Sequence, residues 1–163
     1  MAPRKSNGEL PYRPCVGVML VNMQGKVFVG QRIDNPGSDA WQMPQGGIDK
    51  GEEPQDAALR ELREETGLLP EHVSIISRME EPVRYDLPEE LLGTVWGGRY
   101  RGQEQVWFLA RLTAGDEAID IAADEQQEFS VWKWAEPEDL PELIVPFKRQ
   151  VYRKVLEAFR ALV

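Results

Sequence analysis

Cysteine and histidine are nearly missing from this chain of 163 residues, which has Cys15 and His72 and no other of either type. A single thiol excludes an internal disulfide and fits a reducing interior, so the expected compartment is the cytoplasm. A lone imidazole away from any thiol argues against a zinc-type centre. Long apolar runs are absent too; none nears the roughly 20 residues that span a bilayer, and no membrane role is expected. The first ten residues carry Arg4, Lys5 and Glu9, without the apolar stretch of a secretory signal, and residues 1–10 are expected to form a flexible leader. Positive charge is scarce, since 19 Lys and Arg stand against 28 Asp and Glu for a net charge of −9. That excludes a protein that coats nucleic acid by bulk electrostatics, which needs a basic surface. It leaves open a small phosphorylated substrate, or an RNA end, held by metal ions and a few local cations.

What is present is an ordinary globular pattern. The length suits one domain, expected over residues 11–163. Val16 to Val21 is an apolar run and Lys26 to Arg32 follows a turn at Gly25, the pattern of a hairpin. Pro54 at a first helical turn and Gly67 as a stop predict a helix over 54–66. Val73 to Ile76, Glu104 to Leu112 and Phe129 to Trp134 read as strands. Val106, Phe108, Ala110 and Leu112 alternate to one face of the second of them. A second helix is expected over 146–162, with a buried stripe of Phe147, Val151, Val155, Ala158, Phe159 and Leu162. The irregular stretch 86–102, rich in glycine and aromatics, is long enough to line a substrate cleft. Trp132 and Trp134 share a strand face and are expected to be core, as is Cys15. Strands mixed with two main helices indicate an α/β or α+β domain.

Glu61, Glu64 and Glu65 carry the chemistry. At about 100° per residue, the three project within one sector of the predicted helix. Like charges at this spacing repel, so a helix gains nothing from them unless a cation sits there. Hard oxygen donors point to Mg²⁺ or Mn²⁺. A solvated glutamate-rich helix is the alternative. The preceding Gly46-Gly47, which allows close approach of backbone to a ligand, tips the balance toward a device for phosphate and metal.

Residues 46–68, GGIDKGEEPQDAALRELREETGL, resemble the Nudix hydrolase signature at all nine of its fixed positions: Gly46, Glu52, Arg60, Glu61, Leu62, Glu64, Glu65, Gly67 and Leu68. The preceding Trp41-Gln42-Met43-Pro44-Gln45 is similar to one branch of that family, the RNA pyrophosphohydrolases and asymmetrically cleaving dinucleoside tetraphosphate hydrolases. Tyr12-Arg13-Pro14, Tyr85-Asp86-Leu87-Pro88, Gly102 to Phe108 and Val145 to Arg149 agree with it. Glu104 and Val106 depart from it, standing where these relatives often have lysine.

The resemblance implies an α/β/α sandwich with a mixed central sheet. It implies that Glu61, Glu64 and Glu65 bind divalent ions, Mg²⁺ or Mn²⁺, with the carbonyl of Gly46 as a further ligand. Arg60 would pair with Glu52 and brace the loop against the helix. Glu128 would be a fourth acidic ligand or assist the base, for which Glu64 is the first choice. Arg32 and Phe147 resemble a pair that clamps a nucleobase, and Arg13 and Lys148 are candidates for phosphate contact. The implied activity is hydrolysis of a pyrophosphate linkage, on an RNA 5′ end or in a dinucleoside polyphosphate such as diadenosine tetraphosphate, to ATP and AMP. Arg99, Arg101, Lys148 and Arg149 are a candidate patch for guiding RNA, whereas the acidic net charge leans to the small dinucleotide. A catalytically silent nucleotide-sensing or protein-binding module is the competing reading; the crowded glutamates argue against it.

Overall fold

The computed structural model describes residues 10–35 and 37–163; the leader expected over residues 1–10 lies outside these, Leu10 apart. Seven strands form one mixed sheet: β1 (Tyr12–Val21), β2 (Val27–Arg32), β3 (Gln45–Gly47), β4 (Val73–Arg78), β5 (Val83–Asp86), β6 (Gly102–Leu112) and β7 (Phe129–Ala135). The main path runs β4-β6-β1-β2-β7, with β3 paired to β1 and β5 paired to β6. Only β1 and β6 are parallel to each other, in register from Tyr12 opposite Gly102 to Val21 opposite Arg111.

Both central strands are buried on two faces, so their apolar residues split by parity. Val16, Val18 and Leu20 with Phe108, Ala110 and Leu112 pack on Ala57, Ala58 and Leu62 of helix α1 (Pro54–Thr66). Met19, Val21, Trp107 and Leu109 face Val151, Tyr152, Val155 and Phe159 of helix α3 (Arg149–Phe159). One helix on each face makes the α/β/α sandwich. A short helix α2 (Leu140–Leu143) packs beside α3.

The hairpin forms as expected. Asn22 organises it, its Oδ1 accepting the amides of Gln24 and Lys26 at 3.0 Å. Helix α1 ends at Gly67, whose φ of 77° lets its N–H donate to the Arg63 carbonyl. The second long helix is shorter than its pattern suggested, with 3₁₀ turns at 146–148 and 160–162. Ala158 and Leu162 are exposed and Phe147 is 37% exposed, while Tyr152 takes their place in the stripe. The tyrosine is drawn in because its hydroxyl accepts the Met43 amide at 2.8 Å. Trp132 and Trp134 are half-buried, packed around Phe28, and Cys15 is fully buried.

Two strands lie outside the sequence expectations. Strand β3 is Gln-Gly-Gly, with no strand propensity, and forms because β1 offers it an open edge at Cys15–Gly17. Strand β5 alternates buried Val83 and Tyr85 with exposed residues and pairs with the first half of β6. Consequently β1 and β6 each change partner midway, and the sheet opens at the end that holds β3 and β5.

Candidate active site

Where the sheet opens, a cavity of about 410 Å³ is lined by carboxylates and cations drawn from distant parts of the sequence. Glu61 and Glu64 reach it from α1, Gly46 and Gly47 from β3, and Glu128 from the loop before β7. Arg13 comes from β1, Arg32 from β2, and Phe147 and Lys148 from the turn before α3. Of the residues singled out in the sequence, eight line this one space. Glu65, Arg60 and Glu52 stand behind it.

The glycine of β3 is needed for a steric reason. A Cβ on Gly46 would lie 2.0 Å from Cδ of Glu61, so only glycine lets that carboxylate lie against the loop. Arg60 holds the other side of the same loop. Its Nε and Nη2 donate to Glu52 at 2.9 Å each, and Nη2 also donates to the Gly47 carbonyl at 2.8 Å. Glu52 in turn accepts the Asp49 amide. Arg60 thus ties the loop to the helix at both ends, and the Arg60 guanidinium and the Asp49 amide hold the Glu52 carboxyl down at about 2.

The same guanidinium touches the carboxylate cluster, with Nη1 2.8 Å from Glu61 and 3.3 Å from Glu64. It does not satisfy it. Burial pushes the Glu61 carboxyl up to about 7, with Glu64 and Glu128 adding repulsion against the pull of Arg60. Glu65 is 1% exposed and also held well above the usual carboxylate range, by burial first and then by Glu61 and Glu128. Its Oε2 accepts the Gln45 amide at 3.0 Å. Crowded hard oxygen donors whose ionised forms are disfavoured suit a divalent cation, which would offset the repulsion. No group of three or more acidic, histidine or cysteine side chains among the described residues is gathered closely enough to hold an ion by itself.

The cations differ in their commitments. Arg32 is fixed by a bidentate pair with Asp34 at 2.8 and 2.6 Å and lies 3.6 Å from Glu128. A bulge between Gln31 and Arg32 in the pairing with β7 re-aims this side chain. Arg13 and Lys148 have no carboxylate partner among the described residues, and Lys148 lies over the rings of Tyr85 and Phe147. Arg32, Phe147 and Lys148 also line an adjoining cavity of about 550 Å³. Two cations of the expected basic patch are committed to neighbours: Arg101 pairs with Asp86, and Arg149 donates to the Pro141 carbonyl. Glu104, the departure from the relatives, pairs with Arg84 at 2.7 Å.

Sequence reasoning missed a chain of amides. Trp107 Nε1 donates to Gln105, whose Nε2 donates to Gln45 at 2.9 Å and Gln103 at 2.7 Å. It runs from the core to the pocket wall, and the alternation of Gln103 and Gln105 just before the apolar run Val106–Ala110 was the available signal.

Comparison with known proteins agrees. The family model described as NUDIX domain matches residues 11–155. A protein of Erythrobacter litoralis named RNA pyrophosphohydrolase is 63% identical, covering 95% of this chain and 94% of that protein. One of Novosphingobium aromaticivorans with the same name is 62% identical, covering 94% of this chain and 96% of its own length. In structure, a C. elegans Ap4A hydrolase binary complex aligns with a TM-score of 0.66 at 24% identity, over 93% of this chain and 99% of that one. E. coli dihydroneopterin triphosphate pyrophosphohydrolase aligns with a TM-score of 0.67 at 22% identity, over 91% and 99%. These two show the fold. The relatives of high identity and the matched domain together establish that the chain belongs to the Nudix family, as a hydrolase of pyrophosphate linkages dependent on divalent metal.

Proposed function

We propose that this protein uses Mg²⁺ to remove pyrophosphate from the 5′-triphosphate end of RNA, in the cytoplasm. The observation that carries the reading is one pocket with acidic residues on α1 and before β7, where Arg13 and Lys148, without a carboxylate partner among the described residues, lie beside aromatic rings. A polyphosphate held there meets positive charge from Arg13 and Lys148, while its base meets the guanidinium of Arg32 and the ring of Phe147. The relatives named RNA pyrophosphohydrolase support the choice of substrate.

Glu61, Glu64, Glu65 and Glu128, with the Gly46 carbonyl, would hold the metal. Bound Mg²⁺ supplies positive charge against the phosphate oxygens and lowers the pKa of the attacking water. Arg60 and Glu52 keep the loop and helix in register before substrate arrives, so less ordering is left for binding. Glu64 takes the water's proton. Its side chain is 33% exposed at the pocket, whereas that of Glu61 is 13% exposed and Glu65 is enclosed. Glu128, 38% exposed beside Arg32, is the second choice.

Hydrolysis of a dinucleoside polyphosphate is the second reading. It is favoured by the net charge of −9 and by the commitment of Arg101 to Asp86. A paired assay with Mg²⁺ decides. Faster release of pyrophosphate, or of successive phosphates, from 5′-triphosphate RNA supports the RNA reading. Preferred formation of ATP plus AMP from diadenosine tetraphosphate replaces it, and no turnover of either overturns both substrate readings.

A further inference from the structure

The stretch between β5 and β6 contributes Trp96 to the pocket wall, and this residue is held against its own backbone preference. It has φ 54° and ψ 36°, and it is the one non-glycine residue with positive φ among those described. A bulky side chain is an outlier in that region, whereas the two residues after it, Gly97 and Gly98 with φ of 67° and 74°, adopt it freely. A third glycine would complete this turn without strain. The indole is half-buried, packing against the core on one side and lining the pocket on the other.

Its position is defined. The guanidinium of Arg13 lies 5.5 Å over the ring, and Tyr100 meets the ring edge-on at 6.2 Å. Arg13 in turn lies against Gly47, where an added Cβ would come within 2.6 Å of Nη2. Loop backbone, guanidinium and indole are thus locked together beside Glu61 and Glu64. The other tryptophans have different surroundings: Trp107 is fully buried, Trp132 and Trp134 pack around Phe28, and Trp41 lies under Lys133.

We propose that Trp96 is a stacking platform for a nucleobase of the substrate, separate from Arg32 and Phe147, with Arg13 orienting the indole and contacting the adjacent phosphate. The assignment rests on the nucleotide substrate proposed above. An indole face accepts every base, so this platform adds affinity without choosing a sequence.

The test compares the wild type with Trp96→Gly, Trp96→Asn and Trp96→Phe on short 5′-triphosphate RNAs, intact or lacking the base of the first or second nucleotide. Glycine and asparagine both tolerate positive φ, so the turn is kept, and melting curves measure what losing the indole's core packing costs. The expected result is a rise in KM of roughly tenfold for Trp96→Gly and Trp96→Asn, with kcat within about twofold and Trp96→Phe near wild type. Base removal at one of the two positions should weaken the wild type by a similar factor and cost Trp96→Gly nothing more. Intrinsic fluorescence should be quenched when a methylene-bridged analogue of diadenosine tetraphosphate binds, and less so in Trp96→Phe. An unchanged KM in folded Trp96→Gly, or an equal cost of base removal in the variant and the wild type, overturns the proposal. A wild type that hydrolyses neither RNA nor the dinucleotide overturns the functional reading beneath it, a distinct result.

Discussion

Replacing Gly46 by alanine should disable the site while sparing the fold. Gly46 is not among the positive-φ glycines, so its backbone suits alanine, and the effect must come through what the new methyl meets. That is Cδ of Glu61, at 2.0 Å, and ordinary contact begins near 3.4 Å, so the carboxylate must retreat by about 1.4 Å. A misplacement of about 1 Å can cost on the order of 100-fold in rate. The expected outcome is a fall in kcat of roughly 100-fold or more. Glu61 borders a cavity and has room to move, so the cost in stability should be near the low end for overpacking, about 1 kcal/mol, or roughly 2–4 °C in Tm. Gly51→Ala is the control. Nothing lies within 4 Å of its added Cβ, but φ is +79°, so it should lower Tm and leave kcat alone. Steady-state kinetics and thermal melts on the two variants decide. Gly46→Ala with kcat within tenfold of wild type would show that the position of Glu61 is not what the glycine protects.

Acid should stabilise the metal-free protein. With Glu61 at about 7 when folded and an ordinary carboxyl range when unfolded, the folded chain holds the extra proton, so stability falls as pH rises from about 4.5 to 7. Melts in EDTA should show that slope, while Mg²⁺ or Glu61→Gln should flatten it; a slope unaffected by either would refute the crowding argument. Glu64→Gln should cut kcat by roughly 10²–10⁴-fold with Tm preserved, and a near-normal rate would pass the role of base to Glu128. Burial, aided by Arg32, brings the Lys148 ammonium down to about 8. Its charge is lost as pH rises through that value, so KM should climb above about pH 8. Lys148→Met should start with a higher KM and lose that dependence; a parallel climb in the variant would remove Lys148 from phosphate contact.

Local signals in the sequence carried the helix of the site. Proline at its start, glycine at its end and carboxylates three and four residues apart are all decided within one short window, and α1 has the bounds they imply. The alternation in β6 was equally legible, and the structure adds that its other face is buried too, against α3. The errors lie where distant partners override local preference. Gln45–Gly47 becomes a strand because β1 has an open edge. Ala158 and Leu162 leave the helix stripe because Tyr152 is recruited by the Met43 amide. Arg101 and Arg149 read as free cations until their neighbours are seen.

By itself, then, the sequence determined the family, the three glutamates on one sector of α1 and the elements flanking them, since each depends on residues close together in the chain. Only the tertiary structure decided that Arg13, Arg32, Glu128 and Lys148 share one pocket with α1. That convergence follows from the parallel pairing of β1 with β6 and from a sheet that opens where both change partners. Hydrogen bonds between strands far apart in sequence set it, and so does the burial of both sheet faces. No short window of residues contains either.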